Sequence, residues 1–341
     1  MTVQDSSLLT LPIPQIPQDQ LSALIAQHWG LSGPLSPLTS ERDLNHRLDS
    51  PQGRYVVRLT NPAEPAEMTA FQTLAHLHVA QVDPGLGVQR VQPMMDGATI
   101  LPLPQGALRV FSWLPGQVLA TAPRSEAQTR AIGAGLAALT AALAGFSHPA
   151  ADHYLLWDIR QLPGLADKVP AIPDPDLRDQ AARFIADFTA RIAAPLNAMP
   201  RQVVHADFNP HNLLVDADAP DRLTGILDFG DMVRTPRICD LAVAASYHLD
   251  GDNPLTALQA LIAGYTTRLP LTRDETALLY DLIIARMITT LTISAWRASL
   301  YPDNATYILR NAASARAGLS AFRALGRETV TRHIARAAGQ E

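Results

Sequence analysis

Two polar segments of the chain carry the residue types that are best suited to chemistry. The first lies between apolar runs and contains His205, Asp207 and, five residues further on, Asn212. The second is an Asp-Phe-Gly-Asp run that begins at Asp228, sixteen residues after the asparagine, and it directly follows the mainly apolar residues 225–227. An apolar strand that ends in an aspartate next to a glycine commonly presents that carboxylate to a metal. We therefore expect the two segments to act together.

The chemistry that these residue types suit is phosphoryl transfer. This reaction needs magnesium to bridge the phosphates, a carboxylate to orient the attacking hydroxyl, and a cation on the nucleotide. Asp207 is the candidate for the orienting carboxylate. The amide oxygen of Asn212 and the carboxylate oxygens of Asp228 are hard ligands of the kind that magnesium takes. A single polar loop would more simply be a solvated turn, but the two segments together favour a kinase.

Secondary structure must position these segments, and its signals are mixed in the first hundred residues. The stretches 44–48 and 55–60 flank a Pro/Gly turn, and together they predict a β-hairpin. Further elements predicted from hydrophobic spacing are helices over 20–29 and 65–79 and strands over 88–93 and 107–113.

Long helices dominate the rest of the chain. They are predicted over 125–145, over 177–194 and over most of the chain beyond residue 238. Only one clear strand, 223–228, is expected in this half, and the Pro-rich stretch 163–175 predicts a surface loop. The change of character predicts two domains, an N-terminal one over 1–113 and a helical one over 114–341 that contains both polar segments.

Composition excludes several classes of protein. The chain has 341 residues, of which 47% are hydrophobic and 17% charged, so it is neither a disordered tail nor a coiled coil. A net charge of −5 lacks the basic surface that nucleic-acid binding requires. The single cysteine, Cys239, excludes an internal disulfide and a cysteine-based zinc site.

The N-terminus has no basic residue before Arg42, and the longest uncharged stretches are broken by Gly and Pro or rich in Ala. We therefore expect no targeting peptide, no membrane span and a cytoplasmic protein.

Both polar segments resemble the catalytic and metal-binding loops of the aminoglycoside phosphotransferase and choline kinase superfamily. The segment 108–116, Leu-Arg-Val-Phe-Ser-Trp-Leu-Pro-Gly, is similar to the crossover between the two lobes in that group. Ser-Glu-Arg-Asp-Leu-Asn at 40–45, and Gly-Phe-Ser-His-Pro-Ala at 145–150 with Trp157 and Asp158 shortly after, resemble segments of its hydroxylysine kinase-like branch. The resemblance spans residues 20 to about 300. It implies an α+β, protein-kinase-like two-lobed fold, with a small mixed β-sheet N-terminal lobe and a larger, mainly helical C-terminal lobe.

The same resemblance implies roles for individual residues. Asp207 is the expected catalytic aspartate, and His205 is the histidine that braces its loop. Asn212 and Asp228 are the expected ligands of Mg²⁺. The nucleotide, ATP or GTP, is expected at a set of residues in the N-terminal lobe: Ser40, Arg58, Glu67, Phe111 and Trp113.

The chain departs from the family at the cation on the third strand, where the family places a lysine and this sequence has Arg58. Arginine keeps the charge and can bind phosphate through its planar fork. All 27 basic residues except Lys168 are arginines, so arginine at this position is a weak sign of lost activity. The partner acid is expected to be Glu67, with Glu64 as the other candidate. A closer match to the hydroxylysine kinase-like branch puts Gln72 where that acid is expected.

The acceptor substrate is expected near Trp157, Asp158, Asp231 and Arg286. Arg286 and Arg297 lie eleven residues apart on the long helix predicted from residue 272, and therefore near the same face, and one of them could bind a substrate carboxylate through two parallel hydrogen bonds. We expect a kinase for the hydroxyl of an amino alcohol or hydroxy amino acid. Hydroxylysine-like compounds come first, with homoserine, choline or ethanolamine, and an aminoglycoside as other candidates. The alternative is a non-catalytic nucleotide-binding module, a pseudokinase. A protein kinase is disfavoured because no activation segment follows Asp228. The sequence leaves the oligomeric state open.

Overall fold

Residues 12–40, 42–249 and 251–340 are described by a computed structural model, in which the chain divides into two units. The first unit contains the chain up to Gly116 together with the segments His148–Tyr154 and Thr224–Gly230. The second contains Gln117–Ser147, Leu155–Leu223 and the chain from Asp231 onward.

The first unit is built around an antiparallel five-stranded sheet with strand order β1-β2-β3-β5-β4. Its elements in chain order are α1 (Gln18–Trp29), β1 (Leu35–Leu38), β2 (Leu44–Ser50), β3 (Gly53–Thr60), α2 (Ala66–Val82), β4 (Leu101–Leu103) and β5 (Gly106–Ser112). The predicted hairpin is therefore present as β2 and β3, and its turn is closed by Gly53 with φ +140°.

Strand β3 has one face in the main apolar core of the unit, and its other face carries Arg58. Val57 and Leu59 are buried in a core with Leu21 and Ile25 of α1. Because neighbouring side chains of a strand point to opposite faces, Arg58 lies on the other face. In the antiparallel register of β3 and β5, Arg58 lies opposite Arg109.

The segment that carries the Asp-Phe-Gly-Asp run packs within the first unit up to Gly230. Val88 forms an isolated parallel bridge with Ile226, and the amide of Ile226 donates to the carbonyl oxygen of Gly87 at 2.7 Å. The strand predicted over 88–93 is wrong, because only two isolated bridges, at Val88 and Val91, are present there.

Helices and several very short strands make up the second unit. Its elements are β6 (Gln117–Val118), α3 (Glu126–Leu143), α4 (Pro175–Asp187), α5 (Ala193–Ala198), β7 (Arg201–Val204), β8 (Leu213–Val215), β9 (Leu223–Ile226, which continues into the first unit), β10 (Val233–Pro236), α6 (Arg237–Ser246), α7 (Pro254–Thr266), α8 (Arg273–Leu300), α9 (Ala305–Ile308), α10 (Ala312–Leu325) and α11 (Arg327–Ala337). Strand β7 pairs antiparallel with β10, and β6 pairs antiparallel with β8.

Two helices of the second unit approach each other closely through glycines. A Cβ added to Gly133 of α3 would lie 2.0 Å from the carbonyl oxygen of Leu261, and one added to Gly264 of α7 would lie 2.0 Å from that of Arg130. Because only glycine leaves room for these backbones, the pair sets the spacing between α3 and α7.

Helix α8 is the longest helix in the described part of the chain and begins at a capping box. The side chain of Thr272 accepts from the amide of Glu275, and the carboxylate of Glu275 accepts from the amide of Thr272 at 2.8 Å. By length and composition alone this is the one described helix that could cross a membrane. Within its most apolar window 89% of the residues are buried inside the protein, as in the core helix of a soluble protein.

The structure differs from the sequence predictions in three further ways. The Pro-rich stretch expected to be a loop is mostly a 3₁₀-helix over Ile159–Ala171, and the helix predicted over 177–194 is divided by a π-turn over Phe188–Ile192. The expectation of one strand beyond residue 114 is also wrong, since β6, β7, β8 and β10 lie there as well. These strands have two to four residues, which is too short for an alternating pattern to emerge.

Candidate active site

The loop between β7 and β8 carries the first polar segment, and a buried carboxylate holds it in place. Asp240 of α6 accepts hydrogen bonds from the backbone amides of His205 at 3.2 Å and Ala206 at 2.9 Å. Ala206 has φ +61°, a left-handed conformation that is uncommon for a residue other than glycine. Burial raises the pKa of Asp240, while its interactions with His205 and the two amides oppose that rise. The carboxylate therefore holds a backbone conformation that would otherwise be disfavoured.

His205 is fully buried and faces the protein interior. Its Nδ1 accepts from the amide of Asp207 at 3.3 Å, and its ring meets that of Phe208 edge-on, with centroids 5.7 Å apart. These contacts are those of a brace for the loop, and a fully buried ring is badly placed to exchange protons with a substrate.

Both carboxylate oxygens of Asp207 are held by neighbouring side chains. Its Oδ2 accepts from Nδ2 of Asn209 at 2.9 Å and from Nδ2 of Asn212 at 2.8 Å, and its Oδ1 lies 3.4 Å from Nη2 of Arg286. The side chain retains 22% of its exposure, so a small molecule can still reach it. The carboxylate is thus fixed in direction while remaining accessible.

The amide of Asn212 has a defined orientation. Its Nδ2 donates both to Oδ2 of Asp207 and, at 3.0 Å, to the backbone carbonyl oxygen of Asp207. Because the nitrogen faces the aspartate, the amide oxygen faces away from it. In the structure as described, this oxygen accepts no hydrogen bond from the protein, which leaves it available as a metal ligand.

Asp228 lies in the second polar segment and also has a left-handed backbone, with φ +57°. Its Oδ1 accepts from the amide of Gly230 at 3.1 Å. The next residue, Phe229, is buried and stacks on His76 with ring centroids 4.0 Å apart. The ring of His76 is held in turn, since its Nδ1 lies 3.0 Å from the carbonyl oxygen of Gln89. The hydrogen bond from Gly230 and the packing of Phe229 therefore set the direction of the carboxylate.

Asn212 and Asp228 offer the hard oxygen ligands that magnesium prefers. Within the ranges that the structure describes, no three side chains of histidine, cysteine, aspartate and glutamate come together as a metal site. Magnesium in kinases is commonly held by one or two protein ligands together with water and the phosphates of the nucleotide. Taken by itself, each loop therefore has donor chemistry that fits magnesium delivered with a nucleotide.

The cation of β3, Arg58, lies beside an aromatic ring in the first unit. Its guanidinium carbon is 5.7 Å from the ring centroid of Phe111, and its buried Nε has no hydrogen-bond partner. The acid expected to pair with it, Glu67, is exposed in the first turn of α2 and makes no hydrogen bond or ion pair with any residue in the described ranges. The structure therefore does not bring Glu67 to Arg58.

Glu64 and Gln72, the alternatives to Glu67, belong to a buried polar network instead. Glu64 accepts from Nε2 of Gln72 at 3.1 Å and forms an ion pair with Arg42 at 3.4 Å. Gln72 uses its Oε1 to accept from Nη2 of Arg109 at 3.3 Å. The cation of the sheet that reaches α2 is therefore Arg109 of β5, and Arg58 of β3 is not part of this network.

Arg109 is a buried cation that was not predicted from the sequence as a residue with a role of its own. It is 1% exposed, and burial together with the nearby charge of Arg58 lowers its pKa to about 10. Besides Gln72, its guanidinium donates to Thr60 Oγ1 at 2.7 Å and Thr73 Oγ1 at 3.1 Å. Successive side chains of the strand 106–112 point to opposite faces, and this alternation turns Arg109 into the protein. That position was the signal that could have identified it.

The other expected nucleotide residues have mainly structural contacts. Ser40 accepts through its hydroxyl from the amide of Asp43 at 3.2 Å, which orders the turn before β2. Phe111 is buried in a small cluster with Val56 and Val91. The ring of Trp113 packs partly against that cluster and lies 5.9 Å from the guanidinium carbon of Arg47.

Among the expected substrate residues, Asp158 and Arg286 are turned into the protein. Asp158 is 3% exposed and forms an ion pair with Arg160 at 2.6 Å and a hydrogen bond with Thr235. The expectation that it lines the substrate site is therefore not supported by its contacts. Trp157 and Asp231 are half-buried, so both keep surface that a small molecule can contact.

The fold and these loops define a class. A small antiparallel sheet followed by a mainly helical unit, with an Asp/Asn loop and an Asp-Phe-Gly loop, is the arrangement of a protein-kinase-like phosphotransferase. Residues 35–279 match the phosphotransferase enzyme family, and the chain belongs to that family. The α+β fold and the superfamily expected from the motifs are confirmed.

Relatives narrow the class further. The chain is 25% identical to hydroxylysine kinase of Mus musculus over 324 residues, covering 87% of this chain and 86% of the relative. It is 29% identical to homoserine kinase of Phenylobacterium zucineum over 280 residues, covering 77% and 80%. Both are small-molecule kinases, and the chain is likewise a small-molecule kinase with a hydroxyl acceptor.

Solved structures share the fold at low sequence identity. A microcompartment-associated aminopropanol kinase matches with a TM-score of 0.62 and 17% identity, covering 93% of this chain and 100% of the other. Amicoumacin kinase, solved in complex with AMP-PNP, matches with a TM-score of 0.64 and 14% identity, covering 93% and 94%. These likenesses show that the chain has the same fold.

Proposed function

We propose that the chain transfers the γ-phosphoryl group of ATP or GTP to the hydroxyl of an amino alcohol or a hydroxy amino acid. Hydroxylysine-like compounds are the first candidates, since the relatives include vertebrate hydroxylysine kinases. Homoserine is the second, because several bacterial relatives are homoserine kinases. Choline, ethanolamine and aminoglycosides follow. The observation that carries the proposal is the fixed, accessible carboxylate of Asp207 next to an asparagine whose amide oxygen is unused.

Asp207 has the role of orienting the attacking hydroxyl. A hydroxyl that donates to its carboxylate is held in one direction, and the carboxylate can take the proton as the new bond to phosphorus forms. Because Asn209 and Asn212 hold one oxygen and Arg286 holds the other, little freedom remains to be lost when substrate arrives. His205 supports this role from behind the loop.

Asn212 and Asp228 are the proposed protein ligands of Mg²⁺. When bound with the nucleotide, magnesium neutralises charge that develops on the phosphates. The contribution of the chain is to hold both side chains in advance, Asn212 through its two hydrogen bonds to Asp207 and Asp228 through its strained backbone and the amide of Gly230.

The nucleotide is proposed to contact residues of the first unit. Arg58 supplies a cation whose buried Nε lacks a protein partner, and Phe111 and Trp113 supply apolar surface. Ser40 shapes the turn whose backbone amides face the phosphates in this proposal. Glu67 is not proposed to support Arg58.

The effect of Arg58 is measurable as nucleotide affinity. We expect Arg58→Met to weaken nucleotide binding by about 10- to 100-fold, since a hydrogen bond to a charged group contributes about 1.5–3 kcal/mol. Arg54→Met is the matched control, because Arg54 lies on the same strand, is 67% exposed and pairs with Asp49. Equal affinities for the two variants would remove Arg58 from the nucleotide site.

The acceptor is proposed to lie near Asp207, with Trp157 and Asp231 as walls. A carboxylate such as Asp231 suits the ammonium group that the candidate substrates share. We further propose that the protein acts on small molecules in the cytoplasm, with no nucleic-acid or membrane partner.

A pseudokinase is the second candidate function. The observation that favours it is Arg58, which replaces lysine and has no acid partner in the described part of the chain. In that case the protein would bind nucleotide without turning it over.

A panel assay distinguishes the two functions. Hydroxylysine, homoserine, ethanolamine, choline and an aminoglycoside are each incubated with ATP or GTP, with magnesium or with EDTA. A phosphomonoester signal in ³¹P NMR that needs both magnesium and one acceptor is the expected result. Nucleotide binding without any phosphomonoester, across the whole panel, would favour the pseudokinase.

A further inference from the structure

Arg286 carries a charge in the interior of the second unit. It lies on α8, is 1% exposed and is among the largest fully buried side chains in the described residues. An isolated buried charge is very unfavourable, so its guanidinium must be stabilised by what surrounds it. The groups that contact the guanidinium therefore indicate the role of Arg286.

The guanidinium reaches three groups and an aromatic ring. Nη1 donates to the carbonyl oxygen of Trp157 at 3.0 Å, and Nη2 lies 3.3 Å from the hydroxyl of Tyr247 and 3.4 Å from Oδ1 of Asp207. Its central carbon is 5.2 Å from the ring centroid of Trp157. Asp207 is the one carboxylate among these direct contacts.

The charges in the site agree with this geometry. Burial acts to lower the pKa of Arg286, but Tyr247 and Asp207, with a further contribution from Asp231, outweigh it and raise the pKa. The guanidinium therefore stays charged, and the carboxylate that contacts it is the one that we propose as catalytic.

These contacts are incompatible with the expected role of Arg286 as a ligand for a substrate carboxylate. Both terminal nitrogens are already used by the protein, and the side chain has almost no accessible surface. Oδ1 of Asp207, in contrast, keeps a lone pair, because a carboxylate offers about four acceptor positions and three donors reach it.

We propose that Arg286 is the positioning residue of Asp207. It holds Oδ1 while Asn209 and Asn212 hold Oδ2. The carboxylate therefore keeps one orientation, in which it faces the acceptor hydroxyl. Trp157 and Tyr247 fix the guanidinium in turn. The proposal rests on the proposed function, because it assigns Arg286 to the same reaction.

The first test is a kinetic comparison of Arg286→Lys and Arg286→Met with wild type. Lysine keeps the charge, but its single ammonium cannot span the three partners. We expect kcat to fall about 10- to 100-fold in Arg286→Lys and further in Arg286→Met, with KM for both substrates changed less than about threefold. The control is Arg237→Lys, because Arg237 of α6 also forms a partly buried ion pair with a residue of α8, Glu275, at 2.7 Å; its kcat should stay near wild type.

A double-mutant cycle separates positioning from general support of the fold. If Arg286 acts through Asp207, Arg286→Lys should lower kcat little further in an Asp207→Asn background. Equal losses in both backgrounds would overturn the proposal. So would a rise in the KM of the acceptor with kcat unchanged, since that is the signature of a substrate ligand. If the methionine variant does not fold, the lysine variant and its cycle still decide the matter.

A spectroscopic measurement keeps this inference separate from the proposed function. With ¹³C-labelled aspartate, the Asp207 carboxyl signal, assigned by its loss in Asp207→Asn, should shift in Arg286→Lys and not in Arg237→Lys. An unshifted signal would refute the contact even in an active enzyme. A wild-type protein without turnover for any acceptor would instead refute the proposed function.

Discussion

Asp240 provides a sharp test of how the catalytic loop is held. Its two carboxylate oxygens accept from the amides of His205 and Ala206, at 3.2 and 2.9 Å, and the second of these residues has φ +61°. In Asp240→Asn, one oxygen becomes an NH₂ group that must face an amide donor. One hydrogen bond to a charged acceptor is lost, and a buried donor is left unsatisfied.

The expected loss of stability in Asp240→Asn follows from the lost hydrogen bond and the unsatisfied donor. A hydrogen bond to a charged group contributes about 1.5–3 kcal/mol, and an unsatisfied buried group costs about 1–3 kcal/mol. Removal of a buried charge offsets part of the sum, because burial raises the pKa of Asp240 in the folded protein. We therefore expect the free energy of unfolding to fall by about 2 kcal/mol or more. If a similar amount appears in the activation barrier, kcat falls about tenfold or more, since 1.36 kcal/mol corresponds to a factor of ten.

Urea unfolding and steady-state kinetics measure the two effects on the same preparation. Asp179→Asn, an exposed aspartate of α4, is the control and should change neither quantity. Wild-type stability and kcat in Asp240→Asn would refute the idea that this carboxylate holds the loop. Lower stability with unchanged kcat would show that the loop keeps its conformation without it.

Three further predictions concern packing, reactivity and pH. Gly133→Ala should lower stability by at least about 1–3 kcal/mol, because its Cβ would lie 2.0 Å from a carbonyl oxygen of α7. Gly145→Ala, with nothing within 4 Å of the added Cβ, is its control in the same urea experiment, and equal midpoints would contradict the close packing. Cys239 is 3% exposed and burial raises its pKa, so iodoacetamide should label it only after unfolding, as mass spectrometry of native and urea-treated protein would show. Labelling of the native protein at the unfolded rate would contradict this. Burial acts to raise the pKa of Glu275, but the hydrogen bonds from Arg237 and from the backbone amide of Thr272 outweigh it and lower the pKa. The stability it contributes is therefore present above its unfolded value of about 4.5 and is lost as the pH falls through the lower, folded value. Glu275→Gln should be less stable than wild type at neutral pH, and this difference should shrink in acid. A difference that is constant with pH would count against the ion pair.

The catalytic loop could be predicted from the sequence because its information is local. His205, Asp207 and Asn212 lie within eight residues, and apolar residues on either side indicate the flanking strands. Their side chains interact with one another in the structure, through His205 Nδ1 and Asn212 Nδ2. Asp228 was equally accessible to sequence reasoning, since an apolar run leads directly to it.

Contacts between distant parts of the chain could not be predicted in the same way. Arg109 meets Gln72 across 37 residues and Thr60 across 49, and these contacts depend on the pairing of β5 with β3 and on the position of α2. The same is true of Arg286, which reaches Asp207 across 79 residues. Spacing along one helix placed Arg286 on a face, but it gave no information on what that face would meet.

The choice of Glu67 shows a different limit. Both Glu64 and Glu67 lie near the start of α2, and a shift of three residues along a helix start separates an exposed position from a buried one. The deciding feature is the buried network of Gln72 and Arg42 around Glu64, which has no periodic signal in the sequence. Packing therefore engages Glu64 and Gln72 in another network, and none of the three candidates contacts Arg58 in the described residues.

The central claim is that Asp207 orients the acceptor hydroxyl, and one paired measurement tests it most directly. The rate of nucleoside diphosphate release with the best acceptor is compared between wild type and Asp207→Asn, together with nucleotide affinity by calorimetry in the presence of magnesium. We predict a loss of kcat of about 10²- to 10⁴-fold with the dissociation constant of the nucleotide nearly unchanged. Turnover in Asp207→Asn within a few-fold of wild type would contradict the account.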